Sequence, residues 1–215
     1  MTHPNRYFDI PYFPGEAPVV NVPELLEADG ASVELEIGFG RGHFLLARAR
    51  AVPDALILGL ETKRKGVFTA VERAAKHGLK NARPYHGDVF RALPTMGPDG
   101  FASRIFIHFP DPWWKVRHEK RMVVCPDLIA EAARLLKDNG ELFVQTDVDY
   151  RAEQYLTVLK GCDLLAPAQG DGTVESNSFE ARSLREKKCI ETGLPIFRML
   201  FRRVPRTAAP PEEPS

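Results

Sequence analysis

Five carboxylates stand where apolar segments run out: Glu36, Glu61, Asp88, Asp111 and Asp147. Each closes or follows a short run of the kind that forms a buried strand. Any one of them alone would be an ordinary helix N-cap. Five in succession, carried to one edge by a parallel sheet, would make an anionic pocket. Between the first two lies Gly38-Phe39-Gly40-Arg41-Gly42, whose glycines let the backbone turn tightly and approach a ligand closely. Such a pocket suits a ligand that carries positive charge and hydrogen-bond donors.

A dinucleotide pyrophosphate would be repelled by it. Its usual loop is also Gly-x-Gly-x-x-Gly, and here the third glycine, Gly42, comes one position early. S-adenosylmethionine matches better. Its sulfonium is a cation and its ammonium can meet Glu36. Its adenine amino group can donate to Asp88. Its ribose hydroxyls can donate to Glu61, which lies roughly 20 residues past the loop, where dinucleotide-type folds place their ribose-gripping acid.

The elements that must position these groups follow from periodicity. Val33 to Ile37 reads as a strand entering the glycine loop, and the loop opens a helix through Phe44 to Ala49. Ala55 to Glu61 is a second strand. Lys63 to His77 is a helix with Val67, Ala70, Val71 and Ala74 on one side, ended by Gly78. Ala82 to His86 is a short strand leading to Gly87-Asp88, with a short helix or loop from Val89 to Met96. A helix is predicted over Pro126 to Lys137 and closed by Asn139-Gly140. A strand follows from Glu141 to Thr146, then a helix from Tyr150 to Leu159 and a strand from Cys162 to Leu165. Residues 167 to 180 read as a long loop, of the sort that is usually functional or mobile. Pro195 to Arg203 alternates apolar and basic residues, as a half-exposed antiparallel strand does. Four or five β-α units with an antiparallel ending predict a doubly wound α/β sheet in one domain spanning 31–205. Residues 1–30 form an irregular N-terminal arm that packs aromatics on the body, with a short helix starting at Pro23. Residues 206–215 form a Pro/Ala/Glu-rich disordered tail.

Ile105-Phe106-Ile107-His108-Phe109-Pro110-Asp111-Pro112-Trp113-Trp114-Lys115 is the densest stretch. The apolar run is a buried strand, stopped by prolines that cannot donate to a ladder and that clamp Asp111 at its end. In open α/β sheets ligands bind at that end. Lys115, Arg117, His118, Lys120 and Arg121 follow, diluted only by Glu119. Lys63-Arg64-Lys65, then Arg185, Lys187 and Lys188, then Arg198, Arg202 and Arg203 extend the basic set. Clustered cations suit a phosphate backbone, and a tryptophan can stack on a base.

The bulk numbers constrain the rest. The 215 residues are 44% hydrophobic and 27% charged, which is globular. The formal net charge is +0, so nucleic-acid affinity has to come from local clustering. No run approaches the roughly 20 apolar residues of a membrane span, and the N-terminus lacks the pattern of a signal peptide. The 3 cysteines, Cys125, Cys162 and Cys189, are dispersed and match neither a disulfide framework nor a metal site. The expectation is a cytoplasmic protein without metal or membrane attachment.

At Phe109-Pro110-Asp111-Pro112-Trp113 and its basic follow-on, the sequence resembles the bacterial tRNA (guanine-N7-)-methyltransferases. The resemblance runs from about residue 33 to 203. It takes in Glu36-Ile37-Gly38-Phe39-Gly40-Arg41-Gly42, Glu61, Gly87-Asp88, Thr146-Asp147 and Gly193-Leu194-Pro195-Ile196-Phe197-Arg198. It implies the class I methyltransferase fold, a Rossmann-like, seven-stranded, mostly parallel sheet with an antiparallel last strand. It implies methyl transfer from S-adenosylmethionine, giving S-adenosylhomocysteine, to N7 of guanine 46 in the variable loop of tRNA, by a monomer or homodimer with no DNA partner. Carried over by position, Glu36, Gly38, Gly40, Gly42, Glu61, Asp88 and Asp111 hold the cofactor or line its pocket, and Asp111 is also catalytic. Lys115 and Asp147 bind the target nucleotide, and Arg117, Lys120 and Arg121 the RNA. The family's Thr-x-x-Glu signature falls on Ser183-Leu184-Arg185-Glu186, which places Ser183, Arg185 and Glu186 with the substrate. Trp114 stands where the family often has a smaller or polar residue.

Three rivals use the same residues. A methyltransferase acting on a small molecule or protein would not need the basic clusters and paired tryptophans. A non-catalytic RNA-binding subunit would not need the carboxylates. A nicotinamide dehydrogenase is disfavoured by the glycine spacing.

Overall fold

A computed structural model describes residues 9–14, 19–110 and 122–206. Asp111, Lys115, Arg117, Lys120 and Arg121, both tryptophans and the 207–215 tail lie outside them. The elements are β1 (Val20–Asn21), α1 (Val22–Leu25), β2 (Ser32–Ile37), α2 (His43–Ala51), β3 (Ala55–Glu61), α3 (Arg64–Lys76), β4 (Ala82–His86) and α4 (Val89–Ala92). They continue with β5 (Met96–Gly97), β6 (Ala102–His108), α5 (Pro126–Leu135), β7 (Leu136–Thr146), α6 (Asp149–Lys160), β8 (Leu165–Pro167), α7 (Leu184–Thr192) and β9 (Phe197–Arg203).

Seven strands form one sheet in the order β4-β3-β2-β6-β7-β9-β8. The first five are parallel, and β9 runs antiparallel between β7 and β8. The chain winds outward from β2 to β4, then returns to β6 beside β2. The carboxyl ends of β2 and β6 therefore flank the point where the winding reverses, which is where open α/β sheets bind ligands.

Leu35, Ile57, Leu58, Ile105, Ile107, Leu142 and Val144 are fully buried or nearly so. Burial of each contributes roughly 1.5–3 kcal/mol. Helices α2 and α3 pack on one side through Leu45, Val67 and Ala70, and α5 and α6 join the main core through Leu128, Ile129 and Tyr155. A third, aromatic cluster of Phe44, Phe106, Phe143 and Phe179 holds the 168–183 segment against the sheet.

Several boundaries differ from the sequence reading. Helix α5 ends at Leu135, not Lys137, because Leu136 is already extended (φ −68°, ψ 137°) and pairs with Ala102. The ladder resumes at Arg104 with Glu141, so residues 137–140 loop out of a longer strand. The strand expected over Cys162 to Leu165 instead begins at Leu165, where pairing with Arg203 of β9 starts. The described residues of the N-terminal arm pack on the body. The Phe13 N–H donates to the His86 carbonyl at 2.9 Å and the His86 N–H to the Pro11 carbonyl at 2.8 Å, extending the sheet edge. Phe13, Val22 and Leu26 are 1%, 0% and 1% exposed within the main core.

Candidate active site at the carboxyl edge of the sheet

Glu36 is the next-to-last residue of β2 and 2% exposed. One of its oxygens, Oε2, is buried without a hydrogen-bond partner among the described residues. Burial raises its pKa to about 8. The Leu45 backbone N–H opposes this in part, and the Glu61 charge adds to it. A carboxyl held in that condition is a ready partner for a cation.

Glu61 ends β3 and spans the glycine loop. Its Oε2 accepts from the Gly40 N–H at 2.8 Å, and its Oε1 accepts from the Lys63 N–H at 2.8 Å. Gly38, Gly40 and Gly42 have φ of 73°, 59° and 75°. A Cβ on Gly42 would come 2.8 Å from the Ala70 Cβ, so that position closes α2 against α3. A Cβ on Gly40 would meet nothing within 4 Å, so its requirement is the left-handed backbone itself. Asp88 caps α4 through the Phe90 N–H at 3.0 Å and is exposed.

Phe109, next after β6, has φ 49°, a conformation that costs a non-glycine residue on the order of 1 kcal/mol or more. Its N–H donates to the Gln145 carbonyl at 2.7 Å, which fixes the sharp exit toward Pro110. Strain is thus held immediately before Pro110.

These groups surround two adjoining cavities. The larger, about 740 Å³, is lined by Glu36, the Gly38–Arg41 loop, His43, His108, Phe109, Thr146, Asp147, Ser183, Arg185 and Leu194. The smaller, about 210 Å³, is lined by Gly38, Glu61, Gly87, His108, Phe109 and Pro110. Asp88 lines a separate hollow of about 270 Å³ with Tyr12, Phe13 and His86 from the arm and β4. The residues present fit S-adenosylmethionine. The buried Glu36, with one oxygen unpartnered, suits a cation, Glu61 is pre-oriented by three donors, and the glycine loop leaves backbone free to approach.

The far rim is built by β7 and α7. Asp147 follows β7 and accepts from Arg185 Nε at 2.8 Å and from its Nη2. Ser183 caps α7, its hydroxyl accepting the Glu186 N–H at 3.1 Å. This is the N-terminal half of a capping box, but the Glu186 side chain turns inward instead of back to the cap. Glu186 is 0% exposed. It accepts from Gln145 Nε2 at 3.2 Å, from Asn177 Nδ2 at 2.9 Å and from Arg198 Nη2 at 3.3 Å. The structure therefore brings Ser183 and Arg185 to the cavity and sets Glu186 behind it.

The basic residues separate in the same way. Arg41 and His43 stand at the cavity, with Arg73 Nη1 3.3 Å from His43 Nε2. Burial, then the charges of Arg73, Lys187 and Arg41, hold the His43 imidazole below its ordinary pKa. The β9 arginines, expected to face RNA, are committed elsewhere. Arg198 pairs with Glu186, Arg202 with Glu141, and Arg203 donates to the Ala133 carbonyl at 2.9 Å. They satisfy buried and edge acceptors, so they do not form a basic face.

Sequence reasoning missed His108 and Gln145. Both sit inside apolar runs that read simply as buried strands. The available signal was a polar side chain interrupting each run one or two residues before its end.

A sheet of this order, with its glycine loop and carboxylates at the switch point, defines the class I methyltransferase fold. Among solved structures, the 30S ribosomal A1408 methyltransferase from an uncultured bacterium superposes with a TM-score of 0.58. It is 15% identical, over 91% of this chain and 99% of that one. A family model described as "Putative methyltransferase" matches residues 30–199. The tRNA (guanine-N(7)-)-methyltransferase of Synechococcus sp. (strain JA-3-3Ab) is 36% identical over 81% of this chain and 73% of its own length. The enzyme of that name from Paracidovorax citrulli (strain AAC00-1) is 37% identical over 81% and 70%. The chain belongs to the tRNA (guanine-N(7)-)-methyltransferase family.

Proposed function

We propose that this protein methylates N7 of guanine 46 in the variable loop of tRNA, with S-adenosylmethionine as donor. The observation that carries the reading is one continuous site in a chain of this family. Glu36 and the glycine loop lie on one side, with Glu61 in the adjoining cavity, and Thr146-Asp147 and Ser183–Arg185 on the other. When bound, S-adenosylmethionine supplies an electrophilic methyl group on a cationic sulfur.

Glu36 meets a positive group of the cofactor, Glu61 accepts from its ribose hydroxyls, and Asp88 sits toward its base. Arg185 and Asp147 hold each other, so the rim that receives the nucleotide is positioned in advance, as catalysis by orientation requires. Guanine N7 has an in-plane lone pair and no proton at neutral pH, so no general base is needed. N7 takes the methyl group as the carbon–sulfur bond breaks, so positive charge moves from sulfur, which leaves as a neutral thioether, onto the base. Asp111, clamped between Pro110 and Pro112, stabilises that charge electrostatically. Lys115, Arg117, Lys120 and Arg121, with Arg41 and Arg73 near the cavity, bind phosphates.

The test is methyl transfer to a tRNA transcript followed by reduction and aniline cleavage. Cleavage at position 46, lost when that guanine is changed, is the expected result. Cleavage elsewhere, or none with active cofactor binding, would refute it. Asp111→Asn should cut single-turnover rate by roughly 100-fold while leaving cofactor affinity within a few-fold.

A further inference from the structure

We infer that His108 reads the target base, its Nε2–H donating a hydrogen bond to O6 of the guanine whose N7 is methylated. The inference rests on the function proposed above and assigns a specificity-determining residue to it.

His108 closes β6 and lines both cavities, so it stands where they join. It is 8% exposed, its ring tilted at 53° to Phe44 with the centroids 4.1 Å apart, and its Nε2 has no partner among the described residues. A buried polar atom left unsatisfied is costly unless a ligand completes it.

The neighbours decide which nitrogen carries the proton. The Glu186 carboxylate, paired with Arg198, can only accept, so it draws the NH2 of Gln145 toward it at 3.2 Å. The second hydrogen of that amide then points at His108 Nδ1, 2.8 Å away. Nδ1 must accept, and the ring proton lies on Nε2. Glu186 thus sets the tautomer of His108 through Gln145, which gives this buried carboxylate a positioning role.

Burial also lowers the pKa of His108 to about 3, so the ring stays neutral. A neutral donor can read an acceptor without opposing the positive charge that develops on the base. Guanine presents two adjacent acceptors, N7 and O6, whereas adenine presents N7 beside an amino donor. A fixed N–H beside the reacting N7 accepts the first edge and repels the second.

The test uses tRNA with guanine, or with 2-aminopurine, which keeps N7 but lacks O6, at the methylated position. Wild type should favour guanine by roughly 10- to 100-fold in kcat/KM. His108→Phe, which suits the aromatic cluster, should bring that ratio close to 1 with cofactor Kd unchanged. Gln145→Met, which frees the tautomer, should lower the ratio in part. An unchanged ratio in both variants overturns the inference, and so does a matching loss of cofactor affinity in His108→Phe, which would place His108 with the cofactor. A wild-type protein that methylates no tRNA guanine overturns the function itself, and this inference with it.

Discussion

The carboxylate of Glu61 is bonded to the backbone of Gly40, with Oε2 accepting the amide at 2.8 Å. The end of one strand thereby fixes the shape of the loop that leaves its neighbour. The other oxygen accepts the Lys63 amide at the entry to α3, so both oxygens face N–H donors. Glu61→Gln must turn its NH2 toward one of them. We expect a loss of about 1–3 kcal/mol in unfolding free energy, together with at least a tenfold weaker Kd for S-adenosylmethionine. Denaturant titration and calorimetry read the two effects separately.

Glu36 should release a proton when a cationic ligand binds. Its carboxyl is raised to about 8 in the free protein, so it is mostly neutral at pH 7. A cation beside it favours ionisation. Calorimetry in buffers of different ionisation enthalpy should show proton release at pH 7 that Glu36→Gln abolishes. The stability consequence has a definite sign. The folded pKa lies above the unfolded value of 4.5, so the folded state binds the proton more tightly. Ligand-free stability from this group therefore falls as pH rises from about 4.5 to 8. Glu36→Gln should remove that slope in Tm against pH.

Arg48 joins the sheet to the segment before α7. It grips Glu34 through Nε at 2.7 Å and Nη2 at 2.8 Å, and its Nη1 donates to the Phe179 carbonyl at 2.7 Å. Glu34 is 1% exposed, with Arg104 as its other partner at 2.8 Å. Arg48→Met leaves a buried charge half compensated. We expect about 3 kcal/mol of destabilisation, and faster amide exchange around Phe179 and Ala181 than in α5. Uniform exchange across both regions would argue against a local role.

Arg41 and Arg73 have no carboxylate partner among the described residues, and Arg73 lies beside another basic group, His43. Arg73 donates to the His43 ring, whose pKa is held below its ordinary value, and the charges of both arginines are left to meet a phosphate. Arg73→Ala and Arg41→Ala should each weaken tRNA binding and reduce the slope of log K against log salt by about 1. Cofactor Kd should stay the same. Fluorescence anisotropy with labelled tRNA over a salt series measures this directly.

The local signals were reliable for what they could encode. Short runs of the right length placed β2, β3, β4 and β6, and Glu36, Glu61, Asp88 and Asp147 fall at or just beyond the carboxyl ends of their strands. Glycines that require positive φ marked the loop, because backbone strain is a property of one residue. Helix boundaries slipped by a residue or two where a neighbouring strand captured the chain, as at Leu136.

The sequence by itself determined which chemistry is available: a glycine loop, strand-end carboxylates and separated basic clusters, all set by residue type and short spacing. The tertiary structure alone decided which charges remain free for a ligand. Glu186 and the arginines of β9 carry the same groups as exposed residues, yet partners far away in the chain occupy them. The same distant contacts turned His108 and Gln145 from members of buried strands into an oriented donor beside the cavity. Burial and partner identity depend on how strands and helices meet across tens of residues, and no local pattern records that.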